Sequence, residues 1–274
     1  MKRVATIILN RNLPEITDRL YDHIQKFDGD LTDIYILESG SNSSNLSKNH
    51  TWHADTPEAM KHGLRYCRGM NFALSKLWNN QKFHSYDAFF LITNDTELEE
   101  TSSISKLMKI LDDNQKIGLL SPCADDWGEK QLLEEKTLKY FWYIHNSAYF
   151  LRREFIESIC HQDNPNFMNF LFDGNNFRGY QADTELIAKG YVNDWASAIT
   201  SEVRAKENEA HLLTKSDLIK TETFDDNMSL YIEEGHKWMK SKYGFSSRWS
   251  FQLYTKLFYD KFFEFHPELI EYRL

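Results

Sequence analysis

The chain has few of the residues that punctuate or cross-link a fold: 5 prolines, 11 glycines and 3 cysteines in 274 residues. So little proline and glycine excludes collagen-like and low-complexity chains. A 41% apolar content excludes a mainly disordered chain, which lacks the burial to offset the entropy of ordering. Cys67, Cys123 and Cys160 lie far apart and form no CxxC pair. Neither a zinc knuckle nor a disulfide framework is expected, and a reducing cytosol is the simplest compartment. No apolar run approaches the roughly 18 residues of a membrane span. The opening run Val4 to Leu9 stops at Asn10, too short for a secretion-signal core. Positive charge is also short: 32 Lys and Arg against 41 Asp and Glu leave a net charge of −9. Nucleic acid, which requires clustered cations, is not an expected partner.

The signature glycine loops are missing too. Without GxGxxG or GxxxxGK[ST], a dinucleotide dehydrogenase or P-loop NTPase is not expected. The absence of GxSxG argues against an ordinary α/β hydrolase. His50 and His53 lack the HExxH frame and read as solvated loop residues.

What is present is alternation. Val4–Leu9, Ile34–Leu37, Ala88–Ile92 and Ile117–Leu120 are apolar runs of strand length. Between them, Pro14–Phe27, Pro57–Asn79 and Ser103–Leu111 carry apolar residues at helical spacing, with a possible break near Gly69. Strand–helix alternation predicts an α/β fold with a mostly parallel, Rossmann-like sheet flanked by helices. Tyr140–Leu151 reads as a further strand, and Asp183–Lys189 as a short helix capped by Gly190. Beyond Glu202 the chain is charged and mostly helical, which divides it into residues 1–205 and a helical, aromatic-rich extension, 206–274.

Three apolar runs are each followed by a polar cluster: Asn10-Arg11-Asn12, Glu38-Ser39-Gly40-Ser41 and Thr93-Asn94-Asp95-Thr96. If the strands are parallel neighbours, the clusters converge outside their carboxyl ends, where open sheets bind ligands. The bland alternative is that strands commonly end in polar loops. Without a glycine loop, phosphate is best met through a metal. Asp95 could hold Mn²⁺ or Mg²⁺, which completes its shell with waters and phosphate oxygens and neutralises a departing diphosphate.

The order and spacing of these segments resemble family 2 glycosyltransferases of GT-A fold. Val4 to Asn12 resembles the opening strand and its Thr-Tyr-Asn end, with Asn10 and Arg11 replacing Thr and Tyr. Leu37-Glu38-Ser39-Gly40-Ser41 resembles Val-Asp-Asn-Gly-Ser. Arg68-Gly69-Met70-Asn71 resembles the segment that supplies an arginine to the nucleotide. Leu91 to Thr96 resembles the DxD region, with Asp95 kept and Thr93 in place of the first aspartate. Ala148 to Arg153 resembles the strand before an arginine pair. Ala182-Asp183-Thr184-Glu185-Leu186 with Lys189-Gly190-Tyr191 resembles Glu-Asp-x-Asp-Leu ending in Lys-Gly-Tyr. The resemblance spans residues 4 to about 200.

It implies inverting transfer of a sugar, as in polysaccharide biosynthesis, from a nucleoside-diphosphate donor to a glycan or lipid-linked glycan hydroxyl. Asp183 is then the catalytic base and Asp95 the ligand of Mn²⁺ or Mg²⁺. Leu9, Asn10, Arg11, Asn12, Glu38, Arg68 and Asn94 are then nucleotide-binding. Glu38 would read an imide N–H, favouring UDP or dTDP. Asp183 also has a plainer role, offsetting a helix dipole, and Arg68 a plainer one as a solvated helix residue. No histidine matches the family's usual metal ligand after Tyr191; His211 is a distant candidate. The Thr93 and Ala182 departures keep a non-catalytic nucleotide-sugar or glycan-binding module as the alternative. A sugar nucleotidyltransferase is disfavoured because Leu9 to Leu13 lacks glycine. The aromatic stretch 249–265 reads either as a helix packed on the catalytic domain, the favoured reading, or as a face resting on the inner surface of a membrane.

Overall fold

The computed structural model describes residues 3–124, 131, 133, 137–144, 148–160, 164–208 and 214–274. The first half follows the alternation. β1 (Val4–Asn10) leads through α1 (Pro14–Asp28) to β2 (Thr32–Ser39) and a short edge strand, β3 (Trp52–Ala54). α2 (Pro57–His62) and α3 (Arg65–Asn79) precede β4 (Ala88–Thr93) and β5 (Thr96–Leu98), and α4 (Ser103–Asp113) precedes β6 (Ile117–Ala124). Then come β7 (Leu138–Tyr140), β8 (Ala148–Arg152), α5 (Arg153–Ile159), α6 (Ala182–Val192) and β9 (Ala196–Glu207). The C-terminal region is helical: α7 (Ser216–Ile219), α8 (Phe224–Tyr243) and α9 (Arg248–Phe265).

One sheet runs β3-β2-β1-β4-β8-β6-β9-β5, with β7 also on β9. Its first four strands are parallel, with Leu9 opposite both Leu37 and Thr93, so the ends of β1, β2 and β4 lie level. These strands are apolar on both faces because helices cover the sheet; Val4, Ile7, Ile8, Phe90 and Leu91 are fully buried. β8 is antiparallel to β4 and β6, while β6 and β9 are parallel. That inserted strand mixes the sheet's sense, which hydrophobic periodicity does not encode.

Four local expectations need correction. The Pro57–Asn79 segment breaks at Gly63 and Leu64, not near Gly69. Gly69 sits inside α3, where a Cβ would come within 2.6 Å of Leu9 Cδ1, so it permits close packing on β1. Gly190 does not end α6, which continues to Val192; Gly190 instead passes Phe155 closely. The Tyr140–Leu151 segment holds two strands, β7 and β8, rather than one. His53 is a strand residue whose ring bonds the Ser41 carbonyl at 2.9 Å, whereas His50 is an exposed loop residue as expected.

The aromatic stretch 249–265 packs. On α9, Tyr259, Phe262 and Phe263 join the main core, meeting Tyr140 and Tyr191. Phe251 joins Tyr180, Trp238 and Met239 in a small separate core under α8. No described helix is long and apolar enough to cross a membrane.

Candidate functional site

The level ends of β1, β2 and β4 form the floor of a crevice of about 360 Å³. Leu9, Asn10 and Arg11 line it from the first polar cluster, Ser39 from the second, and Thr93, Asn94 and Asp95 from the third. His62, Gly63 and Arg65 close one side, and Ile219 of α7 another. The three clusters thus converge as the sequence implied.

A buried polar network stitches the floor together. Asn10 Nδ2 donates to both Glu38 oxygens, at 3.0 and 2.8 Å, while its Oδ1 accepts from Asn94 Nδ2 at 2.8 Å and Leu13 N at 3.2 Å. Glu38 also accepts from Ser41 Oγ at 2.5 Å and Ser47 N at 2.7 Å. Three donor atoms thus make four hydrogen bonds to this carboxylate, which has about four lone-pair sites, and Glu38 is 0% exposed. This corrects the nucleobase role expected of Glu38: the residue orders the loop after β2 and does not reach the crevice surface. The loop depends on Gly40 at φ +71°, where a Cβ would lie 1.8 Å from the Ala59 carbonyl oxygen.

Arg11 lines the crevice but spends much of its guanidinium on structure. Nη1 donates to the Ser39 and Ala59 carbonyls at 3.0 Å each, and Nη2 to Met60 at 3.1 Å. This satisfies the exposed end of α2. Burial lowers its pKa, with Arg65 adding to that and Glu222 opposing it. Its Nε is buried without a partner, and so is that of Arg65. Asn12 turns away: at φ +56° it accepts from Asn42 N and donates to the Leu218 carbonyl at 2.7 Å, tying the first loop to α7.

Arg68 is not at this crevice. Its Nε donates to the Gly174 carbonyl at 2.7 Å and its guanidinium stacks on Phe177. It lines a second cavity of about 830 Å³ with Asp173, Trp238 and Lys242. There, burial works to raise the Asp173 carboxyl, but hydrogen bonds from Lys242 and Trp238 bring it down to about 2. The arginine that reaches the crevice is Arg65, one turn earlier on the same face of α3. The three-residue spacing was the available signal.

Asp95 fits a cation. Its Oδ1 is buried with no hydrogen-bond partner, it lines the crevice, and its backbone oxygen is pinned by Asn208 N at 2.8 Å. No group of three or more metal-ligating side chains occurs among the described residues. One carboxylate suits Mg²⁺ or Mn²⁺ that takes its remaining ligands from water and phosphate. His211 lies outside the described residues.

Asp183 does not line the crevice. It occupies the second position of α6, partly buried. Burial pushes its carboxyl up to about 6, opposed by hydrogen bonds from the Thr184 and Asp183 backbone N–H groups. It lies close enough to Cys67 of α3 and Tyr231 of α8 to act on both; burial first, then Asp183, pushes the Tyr231 phenol up to about 12. Gln181, two residues before it, is held at φ +58°.

Among solved structures, the mannosyltransferase PcManGT of Pyrobaculum calidifontis, described with GDP-Man and Mn²⁺, superposes with TM-score 0.52 at 13% identity over 75% of this chain and 56% of that one. Staphylococcal TarS (S. aureus) matches with TM-score 0.55 at 12% identity over 88% of this chain and 44% of that one. GalNAc-T7, described with UDP, GalNAc and Mn²⁺, matches with TM-score 0.52 at 11% identity over 89% of this chain and 57% of that one. The fold is of GT-A glycosyltransferase type. At these identities the likeness is one of fold, and the chain spans about half the length of these proteins. No family model matches the chain, and no curated protein does.

Proposed function

We propose that the chain transfers a sugar from a nucleoside-diphosphate donor to an acceptor hydroxyl of a glycan or glycoconjugate, with inversion. The observation that carries this reading is the crevice at the ends of β1, β2 and β4: an unpartnered Asp95 oxygen shares it with Arg11 and Arg65. A carboxylate beside guanidiniums suits a diphosphate and its counter-cation better than a neutral ligand. A GT-A fold supports the same reading by analogy. A role for Glu38 at the nucleobase would favour UDP and dTDP. With Glu38 enclosed, the reading commits to a nucleoside diphosphate and not to one base.

In this reading Asp95 holds Mn²⁺ or Mg²⁺, which supplies Lewis-acid stabilisation of the leaving diphosphate. Arg65 and Arg11 hold the diphosphate oxygens by charge-assisted hydrogen bonds. Asp183 accepts the proton of the attacking hydroxyl as that oxygen bonds the anomeric carbon. A carboxyl raised to about 6 is a stronger base than an ordinary aspartate and is still mostly ionised at neutral pH. Tyr231 of α8 lies near Asp183, so in this reading the acceptor approaches Asp183 past that helix.

The separation of Asp183 from the crevice lining favours a second reading, a module that binds nucleotide sugar without turnover. One assay divides them. Hydrolysis and transfer are followed with UDP-, dTDP- and GDP-sugars in Mn²⁺. Turnover that vanishes in Asp183→Asn supports the transferase; binding without turnover in the wild type supports the module.

A further inference from the structure

One side of the crevice is closed by the chain's own C-terminal segment. α7 contributes Ile219, and Asn12 holds the Leu218 carbonyl. The next residues reach Arg65: its Nη2 donates to Thr221 Oγ1 at 2.8 Å and to Glu222 Oε1 and Oε2 at 3.1 and 3.3 Å. Arg178 donates to the same Glu222 Oε1 and holds Glu234 at 2.6 Å. The Glu222 side chain is only 15% exposed. One carboxylate is therefore gripped by two guanidiniums from two separate elements, beside the wall of the crevice.

Three further facts make this grip unusual for a structural ion pair. Arg65 keeps a buried Nε with no acceptor, so Thr221 and Glu222 leave part of its guanidinium unfilled. Arg65 is held at φ +56°, a strained backbone state for a side-chain-bearing residue, and such strain gathers at ligand clamps. The whole chain carries a net charge of −9, yet Arg65, Arg68 and Arg178 gather around Phe177, and Arg11 lies near Arg65 in the crevice lining. A carboxylate has two oxygens; a diphosphate presents several with the same charge-assisted geometry.

We propose that Glu222 occupies the place of an anionic group of the ligand: Arg65 and Arg178 form the crevice's anion grip, and residues 214–222 are a strap that the diphosphate displaces. This rests on the nucleoside-diphosphate reading and adds an internal competitor to it. Binding then exchanges one carboxylate for phosphate oxygens on the same guanidiniums, so no charge is left unpaired. The closed strap lowers apparent affinity by the fraction of molecules that hold it open.

The test uses the full chain, with calorimetric titration of UDP and of inorganic pyrophosphate, each with and without Mn²⁺. Glu222→Gln keeps the shape and removes the charge, and should bind both probes roughly tenfold tighter. Glu222→Asp keeps the charge and should stay near wild type. Arg65→Gln should lose most of the affinity while melting near the wild-type temperature. Hydrogen exchange at residues 214–222 should rise when UDP is added to the wild type. Equal UDP affinity in wild type and Glu222→Gln overturns the strap but leaves the donor site standing. Equal tightening in Glu222→Asp and Glu222→Gln also overturns it, since packing and not charge would be responsible. No binding of either probe by any variant overturns both the strap and the donor reading.

Discussion

The floor of the crevice and its cover are built by opposite means. The floor is a closed polar network in which Asn94, Asn10, Glu38, Ser41 and Ser47 use up one another's hydrogen bonds at the ends of three parallel strands. The cover, α7 and α8, rests on a four-residue core around Tyr180 and on ion pairs of Arg65 and Arg178. A fully satisfied buried network fixes one geometry. A cover held by a small core and partly exposed ion pairs has less holding it, because such pairs contribute little once solvent screens them. In the proposed reading, the difference separates a floor that holds one geometry for the cation and diphosphate from a cover that parts to admit a substrate.

The largest expected effect is at Asp183, near Tyr231 of the cover. Asp183→Asn should lower transfer by roughly 10²- to 10⁴-fold, the range of general-base catalysis, with donor affinity near normal. In the wild type, log kcat/KM should fall as pH drops below about 6, where the carboxyl protonates. The stability effect has the opposite sense. A carboxyl raised from 3.8 to about 6 binds protons more tightly folded than unfolded, so stability should decline as pH rises through that window. Asp183→Asn removes that penalty and should raise Tm at pH 7. A flat pH–rate profile in this range would take the proton from another group.

Asn10→Ala tests the floor. It removes one donor atom, and two hydrogen bonds, from an enclosed carboxylate and an acceptor from Asn94 and Leu13, and should cost about 3 kcal/mol or more in urea unfolding. A loss below about 1 kcal/mol would mean that the network is not a single unit. Gly235→Ala tests the cover. A Cβ there would come 2.2 Å from Tyr180 Cβ, so α8 must move away from the loop before Asp183. Overpacking of this kind costs about 1–3 kcal/mol. It should raise hydrogen exchange in α8 and leave β1, β2 and β4 protected. Equal deprotection of both regions would merge them into one cooperative unit.

The smallest effect belongs to the outer face of α9. Trp249, Leu253 and Leu257 are 64%, 64% and 58% exposed, at four-residue spacing. Replacing all three with Ser should change stability by less than about 1 kcal/mol, since surface substitutions usually stay within about 0.5. Vesicle flotation of the wild type and this triple variant separates the packed-helix reading from a membrane-resting one. Equal flotation by both leaves the packing face of α9 as its role.

The two regions were also unequally legible in the sequence. Val4–Leu9 (apart from Thr6), Ile34–Leu37 and Ala88–Ile92 are apolar without alternation, as doubly covered parallel strands are, and amphipathic helical segments lie between them, so β1, β2 and β4 and their convergent clusters could be read in advance. Glu38 shows the limit: residue type marks a carboxylate but not whether its lone pairs are already filled. Arg68 and Arg65 show another. Both lie on one face of α3, and the tertiary path of residues 174–178 decides which reaches the crevice. The cover was the least readable part, because Arg178, Glu222 and Glu234 are widely separated in sequence and no local period links them.

The central claim is that the crevice at the ends of β1, β2 and β4 holds a nucleoside diphosphate with a cation on Asp95. Calorimetric titration of UDP into wild type and Asp95→Asn, each with Mn²⁺ and with chelator, tests it most directly. The account predicts Mn²⁺-dependent binding in the wild type, with that dependence gone in Asp95→Asn while the two melt alike. Identical affinities in all four titrations would contradict it.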